Sequence, residues 1–144
     1  MTFEEQFHQV YEDLLSIDMN QLESLYHKDI KFIDPITTHQ GIAAVKDYFS
    51  QLLTSADICR FTIHSMLNCT AAAGQPYSYV VEWTMQLRLK NKTTMIHVDG
   101  VSMLKVCDGK IRYHRDYYDL GEMVYEHIPV LRRIIHYIKK KLDA

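Results

Sequence analysis

Two short stretches of the sequence place carboxylates where proton chemistry is possible. Asp34 precedes Pro35 in Phe32-Ile33-Asp34-Pro35, and Asp116 lies in Tyr113-His114-Arg115-Asp116-Tyr117-Tyr118-Asp119. A carboxylate against apolar surroundings becomes a stronger base, and a nearby imidazole adds a second group able to exchange protons. His114 is two positions from Asp116, a spacing that puts both side chains on one face of a strand. Each residue also has a plainer role. Asp34 suits a turn before proline, with its side chain bonded to the backbone, and Asp116 suits an ion pair with Arg115 or another cation. His97 and Asp99 share a strand face as well, but a catalytic zinc takes three protein ligands. They read as solvated polar residues, and no metal is expected.

The elements that must position these groups follow from periodicity. Phe3, Phe7, Val10, Leu14 and Ile17 recur at helical spacing, and Thr2 with Glu5 forms a capping box at the start. Asp18 and Gln21 repeat that signal before a short helix carrying Met19, Leu22 and Leu25. Residues 29–33 read as a short strand that must end at Asp34, because Pro35 lacks an amide donor and disfavours helical geometry before it. After Gly41, the residues Ile42, Val45, Phe49, Leu52 and Leu53 mark a third helix.

From Ile58 the period becomes alternating. Cys59, Phe61, Ile63, Leu67 and Cys69 fall on one face of a long strand, and residues 71–76 form a loop. Tyr77, Tyr79, Val81, Trp83, Met85, Leu87 and Leu89 then alternate with polar residues. A further strand covers 94–106, Asp108-Gly109 makes a hairpin turn, and a last strand covers 110–118. The tail returns to helical spacing, broken near Pro129. Ile128, Leu131, Ile134, Ile135, Ile138 and Leu142 lie on one side and Arg132, Arg133, His136, Lys139, Lys140 and Lys141 on the other.

Helices followed by hairpin-linked strands imply an α+β fold, with helices on one face of an antiparallel sheet. Long strands curl, and a curled sheet with helices over its concave face forms a cone with an internal pocket. At 144 residues the chain reads as one domain spanning 1–144. Its formal charge of -2 offers no field for nucleic acid. The three cysteines form no metal-spaced pair, no apolar run is long enough to span a bilayer, and the acidic N-terminus is unlike a signal peptide. A cytoplasmic location is expected. The basic tail helix has the composition of a membrane-surface helix, but packing over the cone mouth or a partner subunit is the expected arrangement.

Three stretches carry a family resemblance. They are Tyr26 to Pro35, Gly41 with the helix after it, and Asp108-Gly109-Lys110-Ile111 running on to Asp119. With this order of elements, the chain resembles a SnoaL-like member of the nuclear transport factor 2 superfamily. That superfamily includes steroid isomerases, polyketide cyclases, epoxide hydrolases, dehydratases and proteins that only bind ligands or partners. The resemblance implies a pocket for a small, largely apolar molecule, and a homodimer formed through the outer sheet face.

It also implies roles for particular residues. Steroid isomerases keep a proton-transferring carboxylate at the position of Asp34. They also keep a tyrosine where this chain has Val10 and an acid near Ser102; Tyr11, one residue on, faces a different direction on an ideal helix. Epoxide hydrolases carry an arginine and an aspartate where Trp83 and Met85 stand here. SnoaL-type cyclases place an acid-base aspartate near Asp116, assisted by a histidine, which His114 could supply. The expected site therefore has Asp34 or Asp116 as the acid-base group, with His114 and a tyrosine assisting. Tyr26, Trp83, Met85, Ser102 and Tyr118 would contact the ligand, with room left by Gly100, and no cofactor is required.

Overall fold

The computed structural model describes residues 1–71, 73–124 and 129–143. Two positions named above, Ala72 of the 71–76 loop and Ile128 of the tail stripe, lie outside the described residues. The Thr2 hydroxyl accepts from the Glu5 amide and the Glu5 carboxylate accepts from the Thr2 amide, opening α1 (Phe3–Glu12) with the expected box. The helix ends before Ile17. Asp13 adopts an extended backbone and accepts from the Leu15 amide, so a 3-10 turn over Leu14–Ser16 follows and still buries Leu14. Asp18 and Gln21 cap α2 (Met19–Leu25) reciprocally.

β1 (Tyr26–Ile33) continues directly from α2, three residues earlier than the predicted 29–33, and so takes in Tyr26. The turn at Asp34-Pro35 leads to a strand absent from the sequence reading, β2 (Thr38–Gln40), which pairs antiparallel with β1. Gly41, at φ 85°, supplies the left-handed residue that starts α3 (Ile42–Ser55). The long strands are β3 (Ala56–Asn68), β4 (Tyr79–Leu89), β5 (Ile96–Cys107) and β6 (Lys110–Tyr118). Asp108 and Gly109 both have positive φ, at 54° and 76°, the geometry of a tight two-residue hairpin turn.

The strand order is β2-β1-β6-β5-β4-β3, with β1 and β6 parallel and every other pair antiparallel. This order sets β6 between β1 and β5. His114 consequently lies opposite Phe32 on one side and Leu104 on the other, and Asp116 lies opposite Ser102. Helices α1, α2 and α3 cover the concave face, where Phe7, Leu22 and Phe49 meet Val81, Val98 and Leu104 in one core. Each such fully buried side chain contributes about 1.5–3 kcal/mol by leaving water.

One irregularity reverses a face. The β3–β4 register shifts between Ile63 and Ser65, so beyond the bulge Met66 packs toward the core and Leu67 turns outward, 58% exposed. The alternation predicted to continue through Leu67 and Cys69 is thus broken by one extra residue. After β6, Asp119 caps the short α4 (Leu120–Met123), and α5 (Pro129–Asp143) follows. Ile135 lies beside Gly121, but Leu131, Ile134, Ile138 and Leu142 are 37–81% exposed. Within this single chain, Ile135 is the described stripe residue that packs on the domain, against α4.

Candidate active site

The sheet and helices bring six polar side chains into one hydrogen-bonded chain along the concave face. The indole Nε1 of Trp83 donates to the Ser102 hydroxyl at 2.8 Å, and Ser102 Oγ donates to Asp116 Oδ1 at 2.5 Å. His114 Nε2 meets the same Oδ1 at 2.7 Å, His114 Nδ1 meets the Tyr26 hydroxyl at 2.9 Å, and Tyr26 bonds to the hydroxyl of Tyr11. An ionised carboxylate can only accept, so Nε2 carries a proton, and with the imidazole in its neutral form Nδ1 accepts from Tyr26. Tyr26 in turn accepts from Tyr11. Every proton in the chain therefore points toward Asp116, whose Oδ2 has no hydrogen-bond partner among the described residues.

Rigidity comes from the packing around this chain. His114 is 1% exposed, with its ring 4.3 Å from that of Phe32 and 5.8 Å from that of Tyr26. Burial is the main influence raising the Tyr11 and Tyr26 phenols well above their ordinary pKa. The negative charge of Asp116 adds to it in both, while for Tyr26 the bond from Tyr11 acts the other way. Both phenols stay protonated at neutral pH and serve as donors. Arg115 does not pair with Asp116. It points to the other sheet face and lies 4.9 Å from the ring centre of Tyr117.

Beside Asp116 is an apolar cavity of about 70 Å³, whose wall includes Tyr11, Phe61, Trp83, Met85, Tyr118 and Met123. Tyr48, from α3, also lines it. Burial raises the Tyr48 and Tyr118 phenols, and for both the next cause is the charge of Asp34, with Asp116 contributing further. The two carboxylates thus act on the same pair of phenols. Tyr48 and Tyr118 are held as neutral phenols at the cavity, able to donate to a developing oxyanion, while a carboxylate nearby is the group able to act as base.

Asp34 takes the turn role, the second of the two that its place before Pro35 offered. Its Oδ1 accepts from the amides of Ile36 and Thr37 at 2.8 and 2.9 Å, which is the turn-capping role. Its Oδ2 is buried and unpartnered among the described residues, as is Nε2 of His39. Both residues line a separate open groove of about 290 Å³ that shares Tyr48 and Leu52 with the cavity. Tyr48 lies within the field of the Asp34 carboxylate, but their atoms do not meet hydrogen-bond geometry.

Of the residues expected to touch a ligand, Trp83, Met85 and Tyr118 line the cavity. Tyr26 and Ser102 do not. They are 1% and 2% exposed, and their hydroxyls are committed to the chain behind the wall. Nor does Gly100 leave free space. A Cβ on Gly100 would lie 2.3 Å from the Trp83 ring, so the indole already fills the gap. His97 and Asp99 are on the outer face, where Asp99 accepts from Thr84.

Two residues of the site were missed. Tyr11 is buried alongside Val10, because the apolar face of α1 is wide enough for neighbours 100° apart. Its spacing, four after Phe7 and three before Leu14, was a usable signal. Tyr48 likewise falls three after Val45 and four before Leu52.

Comparison with known proteins agrees with this architecture. The profile of the SnoaL-like domain matches residues 7–114, which includes His114 and stops short of Asp116. No curated protein matches the sequence. Among solved structures, the fold is similar to that of a hypothetical protein with a ketosteroid isomerase-like fold from Catenulispora acidiphila DSM 44928, solved in complex with trimethylamine (TM-score 0.70, 18% identity, 86% of this chain and 92% of that one). It is also similar to an LEH-like epoxide hydrolase of M. tuberculosis (TM-score 0.65, 16% identity, 96% and 93%). An NTF2-like protein from Exiguobacterium sp. 255-15 superposes with a TM-score of 0.68 at 16% identity, over 83% of this chain and 99% of that one. At these identities the structural likenesses carry the fold, and the domain match carries the family. The chain belongs to the SnoaL-like domain family.

Proposed function

We propose that the chain binds a small, largely apolar molecule in the cavity beside Asp116 and moves a proton on it, as an isomerase-, cyclase- or dehydratase-type enzyme. The observation that carries this reading is the fixed Asp116 carboxylate. One oxygen is anchored by Ser102 and His114, and the other has no hydrogen-bond partner among the described residues, at the wall of an apolar cavity. In this scheme Oδ2 takes a proton from a carbon beside a carbonyl. The Tyr48 and Tyr118 hydroxyls donate to the enolate oxygen as charge develops there. The proton then returns from Asp116 to a second carbon or to a leaving oxygen. His114 and Tyr26 act as positioning residues, because they support Asp116 from behind the wall, and Tyr11 ends that chain while also lining the cavity. Every donor and acceptor in the scheme is a side chain, so it calls for no cofactor.

The relatives support the substrate class at the level of their own names, which include a ketosteroid isomerase-like fold and an epoxide hydrolase. The replacement of a polar pair by Trp83 and Met85 argues against epoxide opening here. A cavity of about 70 Å³ is well below the 300 Å³ or more typical of ligand pockets. A substrate of polyketide, steroid or lipid type therefore needs Met85, Met123 and Leu52 to shift, and methionine is the side chain best suited to do so. The same tight cavity favours a second reading, a non-catalytic carrier that opens only around its ligand. Self-association through the outer sheet face, where Tyr117 is exposed, is compatible with both.

Native mass spectrometry of protein purified from its own host tests these readings. A retained ligand identifies the compound class, and the subunit count reports dimerisation. With that compound in deuterated water, the enzyme incorporates deuterium, and Asp116→Asn slows incorporation by roughly 10²–10⁴-fold while binding persists. Asp34→Asn removes a charge that acts on Tyr48 and Tyr118 but no group at the reacting atoms, so it changes the rate far less than Asp116→Asn does. Retention without exchange in the unaltered protein would establish the carrier instead.

A further inference from the structure

We infer that α5 docks this protein onto an anionic lipid surface. The helix is 15 residues long, about 22 Å, too short to cross a bilayer, and no described helix is long and apolar enough to do so. Its apolar residues fall on one continuous side. Leu131, Ile134, Ile138 and Leu142 are 37–81% exposed, so the structure leaves this stripe outside the core. Five Lys or Arg residues and one Asp give α5 a formal charge of +4, which leaves -6 on the rest of the chain. An amphipathic helix with this division lies in the plane of a headgroup layer, its apolar side among the acyl chains and its cations among the phosphates.

Charge decides the occupant. Two copies pairing through this stripe would bring +4 against +4 at close range, with Lys141 near the seam. Anionic headgroups neutralise the same cations, and a long lysine stem can reach from an apolar surface to a phosphate. The rest of the described surface offers no apolar partner of matching length, since its large exposed hydrophobics are the scattered Met1, Ile36, Leu67 and Tyr117. Docking also has a geometric consequence. Ile135 lies beside Gly121 of α4, and Met123 of α4 lines the cavity. The helix that meets lipid thus adjoins one wall of the candidate site, which suits a ligand drawn from the bilayer. The inference stands apart from the acid–base reading, because vesicle binding requires no turnover.

Flotation of the full chain with vesicles of phosphatidylcholine containing phosphatidylglycerol at roughly one lipid in three is the direct test. The protein should float with these vesicles and remain behind with phosphatidylcholine alone. Binding should fall steeply toward about 1 M salt, where screening is nearly complete. Arg133→Glu with Lys140→Glu should weaken partition by more than about twentyfold, at roughly fivefold per removed cation. Ile134→Ser with Ile138→Ser should abolish it while leaving thermal unfolding unchanged, since neither residue is in the core. Equal partition into both vesicle types, or indifference to the Ile134 and Ile138 substitutions, would overturn the inference. So would a lipid-independent dimer, seen by light scattering, that these two substitutions dissociate.

Discussion

His114 and Asp116 stand two residues apart on the concave face of β6, with imidazole Nε2 2.7 Å from carboxylate Oδ1. Because His114 is also held at Nδ1 by Tyr26, the imidazole joins two parts of the molecule that are 88 residues apart in sequence. The pair is therefore a junction of the fold as well as the anchor of the candidate base.

That double attachment sets the cost of removing it. His114→Phe retains the ring against Phe32 but leaves the Tyr26 hydroxyl without its acceptor and Asp116 with Ser102 alone. A loss of about 2–4 kcal/mol is expected in urea unfolding. Tyr11→Phe removes only the far end of the chain, where Tyr26 keeps its bond to His114, and should cost about 1 kcal/mol. Similar losses for the two variants would show that the chain does not act as a connected unit.

Gly100 and Trp83 make a second, sharper test. The Cβ of Gly100→Ala would sit 2.3 Å from the indole ring, so the ring must leave its place and its bond to Ser102. Overpacking of this kind costs about 1–3 kcal/mol. Trp83 is the single tryptophan, so fluorescence reports its displacement without interference. Adding Trp83→Phe should recover part of the loss, because the smaller ring vacates the contact. Gly100→Ala with unchanged stability and emission would contradict the packing described.

Alkaline pH should unfold the protein by a definite route. Burial raises the folded-state pKa of Tyr11 and Tyr26 above the ordinary phenol value of about 10. Below that value both folded and unfolded chains keep these protons, and stability is intact. Above it the unfolded chain ionises first, so stability falls as pH rises, by up to about 1.4 kcal/mol per pH unit for each phenol. Ionisation of these tyrosines, followed by ultraviolet absorbance, should coincide with loss of the folded circular dichroism signal. Ionisation well before unfolding would mean the phenols are accessible. Tyr11→Phe should make the alkaline limb shallower.

Much of this architecture is written locally. Both capping boxes, the Asp34-Pro35 stop, the Asp108-Gly109 turn and the shared face of His114 and Asp116 depend on neighbours within a few residues, and each is as expected. Alternation also put Trp83 and Met85 on one face of their strand, and with Tyr118, a contact that the family resemblance implied, they line the cavity. Such features are legible because caps, turn residues and strand alternation have short-range physical causes.

Only the tertiary structure decided the rest. Whether Tyr26 and Ser102 touch a ligand or stand behind the wall depends on β6 being inserted between β1 and β5, an order no periodicity encodes. The bulge in β3 reverses Met66 and Leu67 through one unpaired residue, which alternation alone cannot reveal. Asp34 faces its own groove because two backbone amides hold Oδ1, and the tail stripe is uncovered because no facing element supplies an apolar surface for it among the described residues. Sequence fixes what each segment can offer; which offers meet is set by how distant segments pack in three dimensions.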